Sequence, residues 1–211
     1  TSLSYSDGTD TLLTSGNTAY REVGVDTLSY RSLDIDGMSE DGKTFYFSCL
    51  VKLGAASTRG NVEFSGYGAT DGNGLRISTN GSDFVATVGF VDTTLMPTDA
   101  GTTHMFVWKV EFGTVDNWSL WVDPADLTIE TTPDFTGSTA RLLVSTLALS
   151  RVRGGSSGEV GFEVDEIRIG TTWNAVTPTE GGSDDTWAGF AIDENGYVNT
   201  GSWLGYVHVL E

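Results

Sequence analysis

The residues best able to do chemistry are carboxylates set inside a strand, in Phe162-Glu163-Val164-Asp165-Glu166-Ile167-Arg168-Ile169-Gly170. Phe162 and Val164 are apolar on one parity, whereas Ile167 and Ile169 are apolar on the other. Side chains alternate strictly along a strand, so a change of phase needs one extra residue, a β-bulge in which two residues oppose one on the neighbouring strand. The bulge puts Asp165 or Glu166 beside the core, where a carboxylate must be hydrogen-bonded or bound to a cation. Calcium suits clustered oxygens, and the Asp7-Gly8-Thr9-Asp10 turn can aim several at one point. Asp34-Ile35-Asp36-Gly37 and Asp71-Gly72-Asn73-Gly74 have similar composition, but Asp, Asn and Gly favour turns without any metal.

Other chemistries lack their residues. The two histidines, His104 and His208, read as solvated strand-end residues outside any acid–base cluster. Cys49 is the only cysteine, so no intrachain disulfide forms, and its alternation with Phe45, Phe47 and Val51 predicts a buried, inert thiol. One Cys and two His cannot make a zinc cluster, and no Gly-rich phosphate loop precedes a helix. With 29 acidic residues against 11 basic, the formal charge of −18 repels nucleic acid and anionic membranes. No apolar run is long enough for a membrane-spanning helix, so membrane insertion is not expected.

Strands must position the acidic groups. Strand-like runs recur between Gly, Asn, Asp and Ser clusters at 28–34, 44–53, 59–66, 74–79, 83–91, 103–112, 117–123, 141–152 and 161–170, and no segment sustains a helical period. Asn80-Gly81 is a tight-hairpin signal. Phe106, Trp108, Val110 and Phe112 share one parity, opposite Lys109 and Glu111, which predicts one buried and one wet face. The expected fold is all-β, a two-sheet antiparallel sandwich or jelly roll over residues 1–178. Residues 179–186 read as an acidic Gly/Ser linker, and 187–211 as a Trp/Gly/Tyr-rich tail too short to bury its own aromatics. The chain starts at Thr1 with neither Met nor a signal segment, and so reads as a piece of a longer parent chain.

Five blocks carry a resemblance: Leu3-Ser4-Tyr5-Ser6-Asp7-Gly8, Ser29-Tyr30-Arg31-Ser32-Leu33, Thr44-Phe45-Tyr46-Phe47-Ser48, Trp118-Ser119-Leu120-Trp121-Val122-Asp123-Pro124 and Val164 to Trp173. In this order they resemble the laminin-G-like, concanavalin A-like jelly rolls of bacterial secreted and surface proteins. The resemblance implies the sandwich and an extracellular or cell-surface setting, without naming a ligand. In such sandwiches the N-terminal strand commonly lies beside the last one, which would bring Asp7 or Asp10 to Asp165 around a structural calcium.

Glu163-Val164-Asp165-Glu166 also resembles the catalytic strand of laminarinase-type glycoside hydrolases, but the third acid is missing. Ile167 stands where the regular pattern has it and Arg168 where the bulged one does. A polysaccharide lyase of this architecture would want a His and a Tyr on the concave sheet, and neither histidine is so placed.

The leading expectation is therefore a non-catalytic extracellular module that binds a polysaccharide or glycan, neutral or calcium-bridged. A structural or adhesive spacer contacting protein partners is the alternative, and a glycoside hydrolase or polysaccharide lyase comes third. The expected glycan contacts are aromatics for stacking and arginines for hydroxyls, namely Tyr67, Trp121, Arg151, Arg153, Trp187 and Trp203. Trp121 is chosen because its parity is opposite to that of Trp118, Leu120 and Val122.

Overall fold

The computed structural model describes residues 3–14, 19–21, 28–32, 39–54, 60–65, 74–140, 142, 144, 146–150, 162–179 and 188–189. Its strands are β1 (Ala19–Arg21), β2 (Leu28–Ser32), β3 (Thr44–Leu53), β4 (Asn61–Ser65), β5 (Leu75–Thr79), β6 (Asp83–Val88), β7 (Val91–Pro97), β8 (Thr103–Glu111), β9 (Asp116–Val122), β10 (Phe135–Thr139), β11 (Thr146–Ser150), β12 (Phe162–Gly170) and β13 (Ala188–Gly189). One short helix, α1 (Trp173–Val176), follows β12, with the Thr172 side chain accepting from Ala175 N at its start.

The first sheet runs β1-β12-β3-β8-β9-β10, with β13 also on β12, and the second runs β2-β11-β4-β5-β6-β7. Every strand pair is antiparallel. This is the expected jelly-roll sandwich. Phe106, Trp108, Val110 and Phe112 face inward and pack with Phe47, Cys49, Val51, Phe64, Ile77 and Phe84 between the sheets. Asn80 makes the β5–β6 hairpin turn by accepting the Ser82 and Asp83 N–H groups on its side chain.

The phase change in β12 is a bulge. Asp165 is opposite Leu50, the next pair is Arg168 opposite Ser48, and Glu166 turns the chain with φ 47°. Val164, Ile167 and Ile169 therefore all reach the inner core, while Asp165 and Arg168 go to the outer face.

That outer face is not open to water. A second apolar cluster lies on it, in which Tyr46, Leu50, Met105, Val107 and Trp121 from the sheet meet Leu3, Leu12, Leu127, Trp173 and Val176. The roof consists of the N-terminal hairpin, the segment after β9 and α1. Leu12 N donates to Tyr5 O within the hairpin, and Leu13 N donates to Pro178 O to hold it down.

The roof corrects several readings. Trp121, expected on a wet face, is 1% exposed, and its indole N–H donates to Thr131 O at 2.9 Å. β8 is wet on one face only at its Lys109–Glu111 end, because Met105 and Val107 are buried beneath the roof. The run 83–91 divides at Gly89-Phe90 into β6 and β7, and β1, β7 and β10 are strands that the sequence pattern does not mark. Thr179 is buried and bridges Leu12, and Ala188–Gly189 pairs with Arg168 and Ile169, so these two tail residues lie on the sandwich.

Candidate functional site

Two of the three carboxylates of β12, Asp165 and Glu166, are buried and hydrogen-bonded. Asp165 accepts Leu3 N at 2.7 Å and Glu166 N at 2.9 Å, so the N-terminal segment does meet it, but through a backbone N–H. Arg168 Nη2 donates to Glu166 Oε2 at 2.6 Å and also to Leu13 O, with both side chains buried. Glu163, on the same parity as Asp165, stays partly exposed and sits opposite Lys52 and Tyr20. The bulge thus aims this acidic run at holding the chain start in place.

Asp7 and Asp10 converge with Asp126, their nearest carboxylate oxygens all within 4.8 Å of one another. Asp165 is not one of the three. The reason is geometric: β12 carries Asp165 beneath Leu3, while the Asp7 turn reaches over to Leu127, whose N–H donates to Asp7 Oδ2 at 2.8 Å. Burial raises the pKa of Asp7, but the Asp10, Thr9 and Leu127 N–H groups together outweigh it and hold the carboxyl below its ordinary value. Three partly exposed carboxylates on two segments form a set of hard oxygens, the donor type that divalent cations take.

His104 is 4% exposed, not solvated as the sequence predicts. Its Nε2 lies 2.6 Å from Asp99 Oδ1 and its Nδ1 2.6 Å from Asp123 Oδ2, while the ring stands edge-on to Phe84 of the second sheet. A ring between two carboxylates is a doubly donating imidazolium. Burial disfavours that charge, yet the hydrogen bonds and charges of Asp123 and Asp99 prevail and raise the His104 pKa. Asp99 is shifted down, burial being outweighed by hydrogen bonds from His104 and Thr102.

The signs give a window. The His104 contribution is complete below its unfolded value of about 6.5 and is lost as pH rises through the raised folded value. The Asp99 contribution is present above its unfolded value of about 3.9 and is lost as pH falls through the lowered one. The stability difference between wild type and His104→Gln should therefore peak at about pH 4–6.5 and shrink on the alkaline side. Urea denaturation across pH checks it, and a difference that grows above neutrality would contradict it.

At the wet end of the first sheet's outer face, Tyr46 Oη donates to Glu130 Oε2, and Lys109 Nζ donates to Glu130 Oε1 at 3.0 Å. Burial, then the Glu130 bond and charge, push the Tyr46 phenol up to about 12, so it stays protonated at neutral pH.

The outer face of the second sheet carries a different arrangement. Glu63, Arg76, Thr87 and Asp92 are consecutive cross-strand neighbours on β4, β5, β6 and β7. Arg76 donates to Thr87 Oγ1 from Nε at 3.1 Å and from Nη2 at 2.7 Å, and the Thr87 hydroxyl donates to Asp92 Oδ1 at 2.6 Å. Arg76 Nη2 lies 3.6 Å from Asp92 Oδ1, with the two side chains 32% and 66% exposed. Hydrogen bonds thus fix a guanidinium and a carboxylate side by side at the surface, with Arg76 Nη1 not used in either contact. Such a pair can give and accept hydrogen bonds to vicinal hydroxyls at once.

Neither Arg76 nor Asp92 stands out in the sequence. The available signal is Arg76 on the wet parity between Leu75 and Ile77, together with Gly89, whose position marks the turn that places Asp92 opposite Thr87. Among the expected contacts, Tyr67, Arg151, Arg153, Trp187 and Trp203 lie outside the described residues, as does His208, and Trp121 is in the roofed core. Among the described residues, no helix is long and apolar enough to cross a membrane.

No family model matches the chain, and no curated protein matches it. Among solved structures the chain is similar to an endo-β-1,4-glucuronan lyase from the fungus Trichoderma reesei, at 14% identity over 79% of this chain and 83% of that one, with a TM-score of 0.46. It is also similar to domains LG4-5 of the mouse laminin α1 chain, at 12% identity over 75% of this chain and 43% of that one, with a TM-score of 0.44. A third is botulinum neurotoxin type C, whose cell entry is dependent upon interaction with two ganglioside molecules, at 8% identity over 72% and 38%, with a TM-score of 0.48. The chain spans less than half the length of the latter two.

Proposed function

We propose that this chain is a non-catalytic, extracellular carbohydrate-binding module of a longer bacterial protein, and that it takes a neutral or calcium-bridged glycan on the outer face of its second sheet. The observation that carries this is the Arg76–Thr87–Asp92 row, a built, partly exposed donor–acceptor pair on strands rather than on loops. The acidic balance of the chain favours a ligand without its own negative charge. Binding without turnover fits the state of β12, where Asp165 and Glu166 are buried and committed to Leu3 and Arg168.

A glycan array, followed by calorimetry with Arg76→Ala and Asp92→Ala, tests the reading. Each change is expected to weaken binding about tenfold or more, the equivalent of 1.4 kcal/mol, with the fold intact. Binding untouched by both changes would remove the site, and release of reducing ends or unsaturated products would remove the non-catalytic assignment.

Calcium is proposed at Asp7, Asp10 and Asp126, where it would tie the N-terminal hairpin to the segment after β9. An ion that binds only the folded state stabilises it by mass action. Chelation is therefore expected to lower the Tm of the wild type and to leave Asp126→Asn unchanged. An identical melting curve with and without chelator would overturn the assignment.

A further inference from the structure

The β6–β7 hairpin turns at Gly89-Phe90, and both residues have positive φ, 53° and 74°. Such a turn matches the twist of the flanking strands and is ordinarily built from Asn, Asp and Gly, which adopt the left-handed region readily. Gly89 has a packing reason to be glycine, because a Cβ there would collide with Thr139 of β10. Phe90 has none. A bulky side chain with left-handed backbone is disfavoured, and burial gives nothing back, since Phe90 is 69% exposed and Val91 beside it 64%. Each feature alone is ordinary. Together they mark an aromatic ring that is held out into solvent against both backbone preference and the hydrophobic effect.

The turn that carries Phe90 lies close along the backbone to the polar row. Gly89 N donates to Gly74 O at 3.2 Å, two residues before Arg76, and Asp92 follows Phe90 by two residues, a chain step of at most about 7 Å. An apolar ring beside a fixed guanidinium–carboxylate pair matches the two sides of one pyranose, whose C–H face stacks on an aromatic while its hydroxyls bond to charged groups.

We infer that Phe90 is the stacking platform of the second-sheet site, and that the ligand is a neutral pyranose lying on its ring with hydroxyls bonded to Arg76 and Asp92. This rests on the glycan-binding reading above and chooses, within it, a neutral sugar over a calcium-bridged one. The site has its own acceptor in Asp92 and its own donor in Arg76, so no metal is needed to join ligand to protein.

The test uses the full chain and a panel of neutral gluco-, galacto-, manno- and xylo-oligosaccharides, with and without chelator. Phe90→Asn, which suits the left-handed turn, is expected to keep or raise the Tm while weakening the best panel ligand about tenfold. Phe90→Trp is expected to bind within about threefold of wild type, with affinity unchanged by chelator. If Phe90→Asn binds like wild type while Arg76→Ala does not, the stacking role is wrong and the glycan-binding reading stands. If chelator abolishes binding, the neutral-sugar choice is wrong. If the wild type binds no panel member but sediments with phosphatidylcholine vesicles, and Phe90→Asn does not, the tip is a lipid contact and both readings fall. Absence of binding to panel and vesicles alike overturns the neutral-pyranose site at Phe90 and leaves the wider glycan reading to the array.

Discussion

Glu166→Ala is expected to destabilise the fold by about 3–5 kcal/mol, the cost of leaving one partner of a buried ion pair behind. Glu166 Oε2 is 2.6 Å from Arg168 Nη2, both side chains are nearly inaccessible, and the same Nη2 holds Leu13 O of the N-terminal hairpin. Burial already lowers the Arg168 pKa against the opposing pull of Glu166, so the guanidinium loses most when that carboxylate is removed. Glu166→Gln keeps an acceptor of the same shape and should cost less, about 1–3 kcal/mol. Glu166→Gly should lose slightly less than alanine, because φ 47° suits glycine and the bulge is then relieved of strain. Urea denaturation of the three variants checks the order. A loss below about 1 kcal/mol for Glu166→Ala would show that the pair contributes little to holding the roof.

Trp121→Ala is expected to cost about 3–5 kcal/mol as well, by a different route. The ring packs at 5.1 Å and 69° to Trp173, and its N–H is satisfied by the partly buried Thr131 O, so truncation opens a cavity and removes that carbonyl's donor. Arg76→Ala, at a partly exposed site, should cost under about 1 kcal/mol. The contrast separates two explanations of lost binding. A Trp121→Ala protein that melts like wild type yet binds no glycan would restore Trp121 as a ligand contact.

What the sequence made legible was whatever is written in period two. The alternation of Phe106, Trp108, Val110 and Phe112 locates the inner core, the bounds of β3 follow from its flanking turns, and the phase slip between Val164 and Ile167 gives the bulge that β12 has. The roof was not legible, because it depends on which distant segments cover a face. A clue was present: Tyr46, Leu50, Met105, Val107 and Trp121 are apolar on the supposedly wet parity, as in strands buried on both sides.

His104 was misread for the same reason, since Asp99 and Asp123 lie on different connections and meet it only in three dimensions. For the candidate site, Asp7 and Asp10 were legible as oxygen donors, but their partner Asp126 depends on the segment after β9 crossing the N-terminal hairpin. Arg76 and Phe90 escaped because reading 83–91 as one strand erased the turn that brings β7 back beside β6.

The roofed sheet gives the molecule an uneven timetable for exchanging its amide protons. β3 and β8 are bonded on both edges and, away from the Lys109–Glu111 end, covered on both faces, so the amides of that covered stretch should swap with solvent only when the whole domain opens. β7 and β10 each have one described neighbour, and their amides should exchange by local fraying that leaves the rest intact. The surface proposed to meet a ligand thus lies at the yielding margin of the sandwich, where an occupant would register as slowed exchange in β6 and β7 and as almost none in β3.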